Sequence, residues 1–149
     1  MCNVYLTRFH LSQQCPVIVW DLNAAFADAK EHPESEEDEE ADISSKYILY
    51  NLLLHKGSIQ AVDISSCGNY LASLGGQNDN SLVIWDLNDG QPICGSPAAT
   101  HQAYAVQWGR TRSDMLITAG QYNIRRWDFS HERRRVSPRM FLIVVRHRE

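Results

Sequence analysis

No apolar run in this 149-residue chain is longer than Met140–Val145, far short of the ~20 residues that a membrane-spanning helix requires. A secretory signal is also absent by pattern: Arg8 and His10 interrupt the first residues, so the expected compartment is the reducing cytoplasm. Cysteine is sparse. Cys2, Cys15, Cys67 and Cys94 stand far apart, with no C-x-x-C pair and no matching histidine spacing, which argues against a tetrahedral zinc site and for free thiols. The chain carries no G-x-S-x-G elbow, no G-x-x-x-x-G-K phosphate loop, no G-x-G-x-x-G dinucleotide turn and no H-E-x-x-H metal motif. Neither a catalytic residue, a metal nor a cofactor is expected. Charge is nearly balanced, with a formal net charge of -4, but acids and bases are segregated along the chain, so the two halves need separate readings.

What is present is a repeat. Val17-Ile18-Val19-Trp20-Asp21-Leu22, Leu82-Val83-Ile84-Trp85-Asp86-Leu87 and Ile124-Arg125-Arg126-Trp127-Asp128-Phe129 each run into Trp-Asp and then an apolar residue. From Trp85 to Trp127 is 42 positions, within the ~40–45 residues of a WD repeat, whose unit is a four-stranded propeller blade. From Trp20 to Trp85 is 65 positions, and the excess coincides with a stretch of different composition from about Ala24 to Lys46. Within it Glu34, Glu36, Glu37, Asp38, Glu39, Glu40 and Asp42 repel one another and offer nothing to bury. A solvated loop between strands is the expectation, with an acidic docking segment for a basic partner as the alternative. Calcium binding is disfavoured, because the run has neither the alternating oxygen ligands nor the turn glycine of a calcium loop.

The middle repeat reads strand by strand. Ile59 to Ile64 and Tyr70 to Leu74 are strand-like around a Ser66–Asn69 turn; Gly75–Asn80 turns into the Trp85 strand; Asn88-Asp89-Gly90 leads to an outer strand from Pro92 to Cys94, where proline is cheap at a sheet edge. The next repeat has the same order, with Ala103 to Trp108, a turn over Arg110 to Asp114, Met115 to Ala119, and the Trp127 strand after Gln121-Tyr122-Asn123.

These segments resemble the WD-repeat β-propeller family. In that family the tryptophan of the third strand fills the space between neighbouring blades, and its indole N–H needs an acceptor once buried. The resemblance implies a hydrogen-bonded chain of Asp, His, Ser or Thr, and Trp, here Asp79, His55, Ser73 and Trp85. Asp86, Trp20, Asp21, Trp127 and Asp128 are the other members of this structural set. In the next repeat Gln121 stands at the aspartate position, so with His101 available the chain there is expected to be incomplete. His55, Ser73 and Asp79 are also the three residue types of a hydrolase triad, but the sequence around Ser73 reads as a plain strand without a strained elbow or an oxyanion hole.

A narrower resemblance rests on Leu54-His55-Lys56-Gly57, Leu74-Gly75-Gly76-Gln77-Asn78-Asp79, Ile93-Cys94-Gly95-Ser96-Pro97-Ala98-Ala99, and Thr118-Ala119-Gly120 with Ile124, Arg125 and Trp127. Together they are similar to a ciliary and flagellar family of WD-repeat proteins, roughly over Pro16 to Phe129 without the acidic stretch. The resemblance implies a long two-propeller protein inside doublet microtubules, bound to tubulin and other axonemal proteins, reinforcing the axoneme without catalysis. A generic cytoplasmic adaptor, such as a ubiquitin-ligase substrate receptor, is the competing reading, since one fold serves many roles. The fold class expected is all-β: an incomplete WD-repeat β-propeller of about two complete four-stranded blades and part of a third.

The expected organisation is an unassigned segment over 1–15, blades over 16–130 interrupted by the acidic loop at about 24–46, and a basic and apolar tail over 131–149. In that tail Arg133, Arg134, Arg135, Arg139, Arg146 and Arg148 surround Met140–Val145. It reads as a mis-joined exon end, as an outer blade strand, or as a tail that neutralises an acidic tubulin surface or nucleic acid. Propellers close with ~4–8 blades, so open blade faces would need further blades, another chain or self-association.

Overall fold

Short runs of β-branched and apolar residues bounded by turn formers become strands wherever a neighbouring strand completes their ladder. Over residues 3–5, 16–31, 46–99 and 101–140, which the computed structural model describes, they build three antiparallel sheets. The first is β1 (Asn3–Tyr5), β2 (Val17–Trp20) and β3 (Ile48–Leu52), with helix α1 (Leu22–Glu31) between β2 and β3. The second is a full blade of β4 (Ile59–Ile64), β5 (Tyr70–Gly75), β6 (Ser81–Asp86) and β7 (Pro92–Pro97) in sequential order. The third repeats it with β8 (Ala103–Trp108), β9 (Met115–Gly120), β10 (Asn123–Ser130) and β11 (Arg135–Met140). The architecture is an incomplete propeller of two whole blades and part of a third.

The middle blade is covered on both faces, and its sequence shows why. Leu71-Ala72-Ser73-Leu74 and Leu82-Val83-Ile84-Trp85 are continuous buried runs, as a sheet sandwiched between two others requires. One face packs Leu71, Val83 and Trp85 against Val17, Val19 and Leu52 of the first sheet. The other packs Ala72, Leu74, Leu82, Ile84 and Ile93 against Val106, Trp108, Leu116, Trp127 and Phe129 of the third. Each large apolar side chain so enclosed contributes about 1.5–3 kcal/mol, so these two seams carry most of the stability. In the third sheet the pattern reverts to alternation, with Leu116 buried and Ile117 41% exposed, because only one face is covered.

One element differs from the expectation, and in another one of the open readings is the one observed. The front of the segment read as a loop from 24 is helical: Ala24, Ala25, Ala27 and Ala29 favour helix, and the Asp21 carboxylate accepts from the Asn23 and Ala24 amides at 3.0 and 3.1 Å as an N-cap. The insertion is closed at its base, where the Asp21 amide donates to the Tyr47 carbonyl at 2.9 Å, and Lys46 and the Tyr47 hydroxyl both reach Asp28. The acidic run over 34–42 lies outside the described residues. In the tail, the whole of β11 pairs with β10, from Ser130↔Arg135 to Arg125↔Met140, so residues through Met140 form the outer strand of the third sheet. Pro138 is tolerated there as Pro92 and Pro97 are on β7, at an edge where the missing N–H breaks no ladder bond. Residues 141–149 and most of the 1–15 segment lie outside the described residues.

Candidate functional site

The candidate site is a hydrogen-bond chain in the middle blade. His55 precedes β4, Ser73 lies on β5, Trp85 on β6, and Asp79 in the turn between β5 and β6. The structure brings all four together. The Asp79 carboxylate contacts His55 Nδ1; His55 Nε2 lies 2.7 Å from Ser73 Oγ; Trp85 Nε1 donates to the same oxygen at 2.8 Å. One assignment satisfies every group: Nδ1–H donates to Asp79, Nε2 accepts the serine proton, and the freed oxygen lone pair accepts the indole. Ser81 Oγ sits 3.1 Å from Nδ1 and adds a further contact.

This geometry has triad residues but not triad chemistry. Ser73 is fully buried, His55 is 3% exposed, and the serine oxygen is already occupied by the indole, so no carbonyl carbon can approach it. Gly75 makes room for the chain, since a β-carbon there would overlap the Asp79 carboxylate and lie 2.9 Å from His55 Nδ1. The network therefore locks strand β6 to β5 and to the turn, and it aims nothing outward.

In the third sheet the chain is shorter. Trp127 is fully buried and donates to Thr118 Oγ1 at 2.9 Å, Thr118 standing where the middle blade has Ser73. Gln121 and His101 are exposed, and the His101 ring meets Tyr122 edge-on at 6.0 Å rather than joining Thr118. Trp20 on β2 is only partly buried.

The three aspartates of the Trp-Asp pairs have divergent surroundings. Asp21 caps α1; Asp86 Oδ1 accepts from the Asn88 amide at 2.9 Å and its side chain at 2.8 Å, folding the β6–β7 turn. Asp128 instead binds Arg126, with Nε at 3.0 Å, and Arg139, with Nε at 2.5 Å. Partial burial pushes its carboxyl up, but Arg126 and Arg139 outweigh this and hold it below the usual carboxylate range.

Several residues that join blades escaped the sequence reading. Asp63 on β4 accepts the Trp108 amide of β8 at 2.6 Å, crossing from one blade to the next. Asn80, at φ +45°, donates to the Ala99 and His101 carbonyls at 2.7 and 3.1 Å and accepts the Ala103 amide at 3.2 Å, stapling the inter-blade link. Asn at a left-handed position carries a signal in principle, but Asn78 and Asn80 are indistinguishable by sequence. Ser113 bridges the β8–β9 turn to Ser66 and to the Cys67 amide. Burial pushes the Cys67 thiol up, yet hydrogen bonds with Ser113 and Ser65 hold it below its usual value, whereas burial raises Cys94 to about 11.

Among the described residues no group of three or more His, Cys, Asp and Glu side chains is arranged to hold a metal ion. An open depression of about 270 Å³ lies between the β6–β7 turn and Arg134, lined by Asp86, Asp89, Gln91 and Pro92. What the molecule does present are surfaces: Ile117, Ile124, Tyr104 and Tyr122 stand exposed on or beside the third sheet, and Ile48, Leu49, Leu53 and Leu54 on or after β3.

No protein-family model matches the chain. Over 97 residues it is 41% identical to cilia- and flagella-associated protein 52 of Chlamydomonas reinhardtii, an alignment that takes in 65% of this chain and 16% of that protein. Over 100 residues it is 39% and 40% identical to the proteins of the same name from Mus musculus and Homo sapiens, with the same 65% and 16% coverage. The chain thus spans about a sixth of the length of these relatives. Among solved structures, a chain of the mitotic checkpoint complex matches with a TM-score of 0.56 and 19% identity over 66% of this chain and 31% of that one. The β-propeller domain of Myceliophteria thermophila Cps50 (Swd1) matches with a TM-score of 0.56 and 15% identity over 86% of this chain and 33% of that one. At such identities the two structures speak for the propeller fold alone.

Proposed function

We propose that this chain is a non-catalytic WD-repeat scaffold of cilia and flagella, acting within the axoneme by binding tubulin and other axonemal proteins and so reinforcing doublet microtubules. The observation that carries the reading is the 37–41% identity to ciliary and flagellar relatives over 97–100 residues, 65% of the chain. Its chemistry is consistent with that role. Ser73 and His55, the reactive side chains of the triad-like set, are spent on internal hydrogen bonds, while exposed apolar and arginine side chains remain for partners.

The test is localisation. A tagged copy expressed in a flagellated cell should trace the axoneme and remain there after detergent extraction. A diffuse, fully extractable cytosolic signal would overturn the proposal, and recovery of ubiquitin-ligase subunits in place of tubulin on affinity purification would favour the adaptor reading.

A further inference from the structure

The end turns of the two complete blades interlock. The β8–β9 turn over residues 109–114 is closed at its base by the Gly109 amide, which donates to the Met115 carbonyl at 2.8 Å; inside the turn the Arg112 amide reaches the Gly109 carbonyl only at 3.4 Å. Arg110, Thr111, Arg112 and Asp114 are exposed and Ser113 is half-buried. Ser113 Oγ lies 2.9 Å from Ser66 Oγ and accepts the Cys67 amide at 3.2 Å, so this one hydroxyl joins the turn to the β4–β5 turn of the middle blade. The openness of the turn does not depend on what lies beyond the third sheet. In the middle blade, which has a sheet packed on each face, the corresponding residues Ser66, Cys67, Gly68 and Asn69 are all exposed.

The sequence before that hydroxyl is chemically marked. Arg110-Thr111-Arg112-Ser113 places guanidinium groups three positions and one position ahead of it. Enzymes that transfer phosphoryl groups to serine beside arginine read such forks with carboxylates, and they need a segment that can be drawn out into their cleft. Arg110 is exposed and has no ion-pair partner among the described residues. Arg112 is held by Asp114 in a pair whose side chains are 57% and 55% exposed, which is worth little and is readily exchanged for another carboxylate. Releasing Ser113 costs two hydrogen bonds to exposed partners, which water replaces. Ser65 and Ser73 are buried. Ser137 also follows two arginines, Arg134 and Arg135, but it is paired with Asp128 within β11, where ladder bonds to β10 must break first.

We propose that Ser113 is a phosphorylation site for an arginine-directed protein kinase, and that the phosphate rewires the junction between the two blade turns. Ser113 Oγ attacks the γ-phosphorus of a nucleoside triphosphate. The new O–P bond replaces the bond to the β–γ bridging oxygen, the nucleoside diphosphate leaves with that electron pair, and the hydroxyl proton passes to a carboxylate of the kinase. Ser113 then has no proton to give Ser66, while phosphate oxygens carrying a charge of about −1.5 to −2 accept from the Cys67 amide, the Ser66 hydroxyl and Arg112, drawn away from Asp114. The same charge stands beside the Cys67 thiol, which hydrogen-bonds to Ser113 in the unmodified chain, and opposes its ionisation. The site goes beyond the scaffold role and is independent of which assembly the chain joins.

The experiment incubates the full chain with a recombinant calmodulin-dependent protein kinase, which reads an arginine three positions before its serine, and with magnesium and radiolabelled ATP. Mass spectrometry maps the product. Phosphate is expected at Ser113 and is lost in Ser113→Ala. R110Q/R112Q alters two exposed side chains, should keep the fold by circular dichroism, and should lower kcat/KM for incorporation by at least about tenfold. Where Ser113→Ala loosens the turn, the arginine pair decides. Once Ser113 is phosphorylated, Cys67 should react with iodoacetamide at pH 8 about threefold or more slower than before, with Cys94 unchanged. No incorporation, phosphate mapped to Ser137 in place of Ser113, incorporation seen only in urea, or a rate indifferent to R110Q/R112Q overturns the site. A Cys67 rate untouched by phosphate at Ser113 overturns the rewired junction.

Discussion

Replacing Ser73 with alanine removes one oxygen and leaves two buried groups stranded. The Trp85 indole N–H loses the acceptor it holds at 2.8 Å, and His55 Nε2 loses the hydroxyl it meets at 2.7 Å. Neither can turn to water, because Trp85 is 2% and His55 3% exposed. Each unsatisfied buried group costs about 1–3 kcal/mol, so with two of them Ser73→Ala should destabilise the chain by roughly 2–6 kcal/mol. For a chain of this size that is a fall in Tm on the order of 10 °C. The assay is thermal and guanidinium unfolding monitored by tryptophan fluorescence and near-ultraviolet circular dichroism. Ser73→Thr is the control: Thr118 performs the same service for Trp127 at 2.9 Å, so threonine should recover most of the loss. Combining Ser73→Ala with Trp85→Phe should cost less than the sum of the two, since the second change removes the orphaned donor. A melt that Ser73→Ala moves by less than about 1 °C, or strict additivity with Trp85→Phe, would refute the claim that this chain of hydrogen bonds stabilises the blade.

Three other outcomes are expected of the same structure. Asn80→Ala removes three hydrogen bonds across the inter-blade link and puts at φ +45° a residue that tolerates the left-handed region less well than asparagine, and should cost about 2–4 kcal/mol in the same unfolding assay, with Asn80→Gly recovering only the backbone part. Cys67 should be alkylated by iodoacetamide at pH 8 at least about tenfold faster than Cys94 in peptide-mapped mass spectrometry, because burial raises Cys94 to about 11 while hydrogen bonding lowers Cys67; equal rates in the folded chain would contradict the burial. Asp114, held down by its hydrogen bond to Arg112, and Asp128, in which Arg126 and Arg139 outweigh partial burial, both ionise more readily folded than unfolded. Their contribution is complete at neutral pH and is lost as the pH falls below the ordinary carboxylate range, so neutralising both should flatten the acid limb of a stability-against-pH curve.

The features legible in the sequence were those that recur. The Trp-Asp spacing located the blades, and the turn formers between apolar runs marked their strands. His55, Ser73, Asp79 and Trp85 were readable as a set through the resemblance to the WD-repeat family, whose pattern this repeat matches at all four positions. The junctions between repeats were not readable, since Asp63 and Asn80 act on backbone groups of the next blade, 45 and 19–23 positions away, where no pattern marks the partner. Local chemistry overrode composition after Asp21, where four alanines behind a capping carboxylate turned the start of an expected loop into helix. The arginines of β11 left an outer strand, a mis-joined end and a binding tail all open by composition; pairing with β10 shows the strand, because strand register is set by the partner rather than by the residues themselves.

Asp21 and Asp86 occupy the same place in their repeats, and each carboxylate grips the amide two residues on, at 3.0 and 2.9 Å. Beyond that shared grip one chain makes a tight reversal and the other an entire helix, yet both return to form the next strand. In these two repeats the aspartate works as a coupling at the strand exit: it bends the chain away from the sheet and is indifferent to the length of the connection it launches. Such a coupling lets one blade of a propeller acquire an elaborate appendage while its neighbours keep their dimensions, so diversity can accumulate at the rim without retooling the wheel.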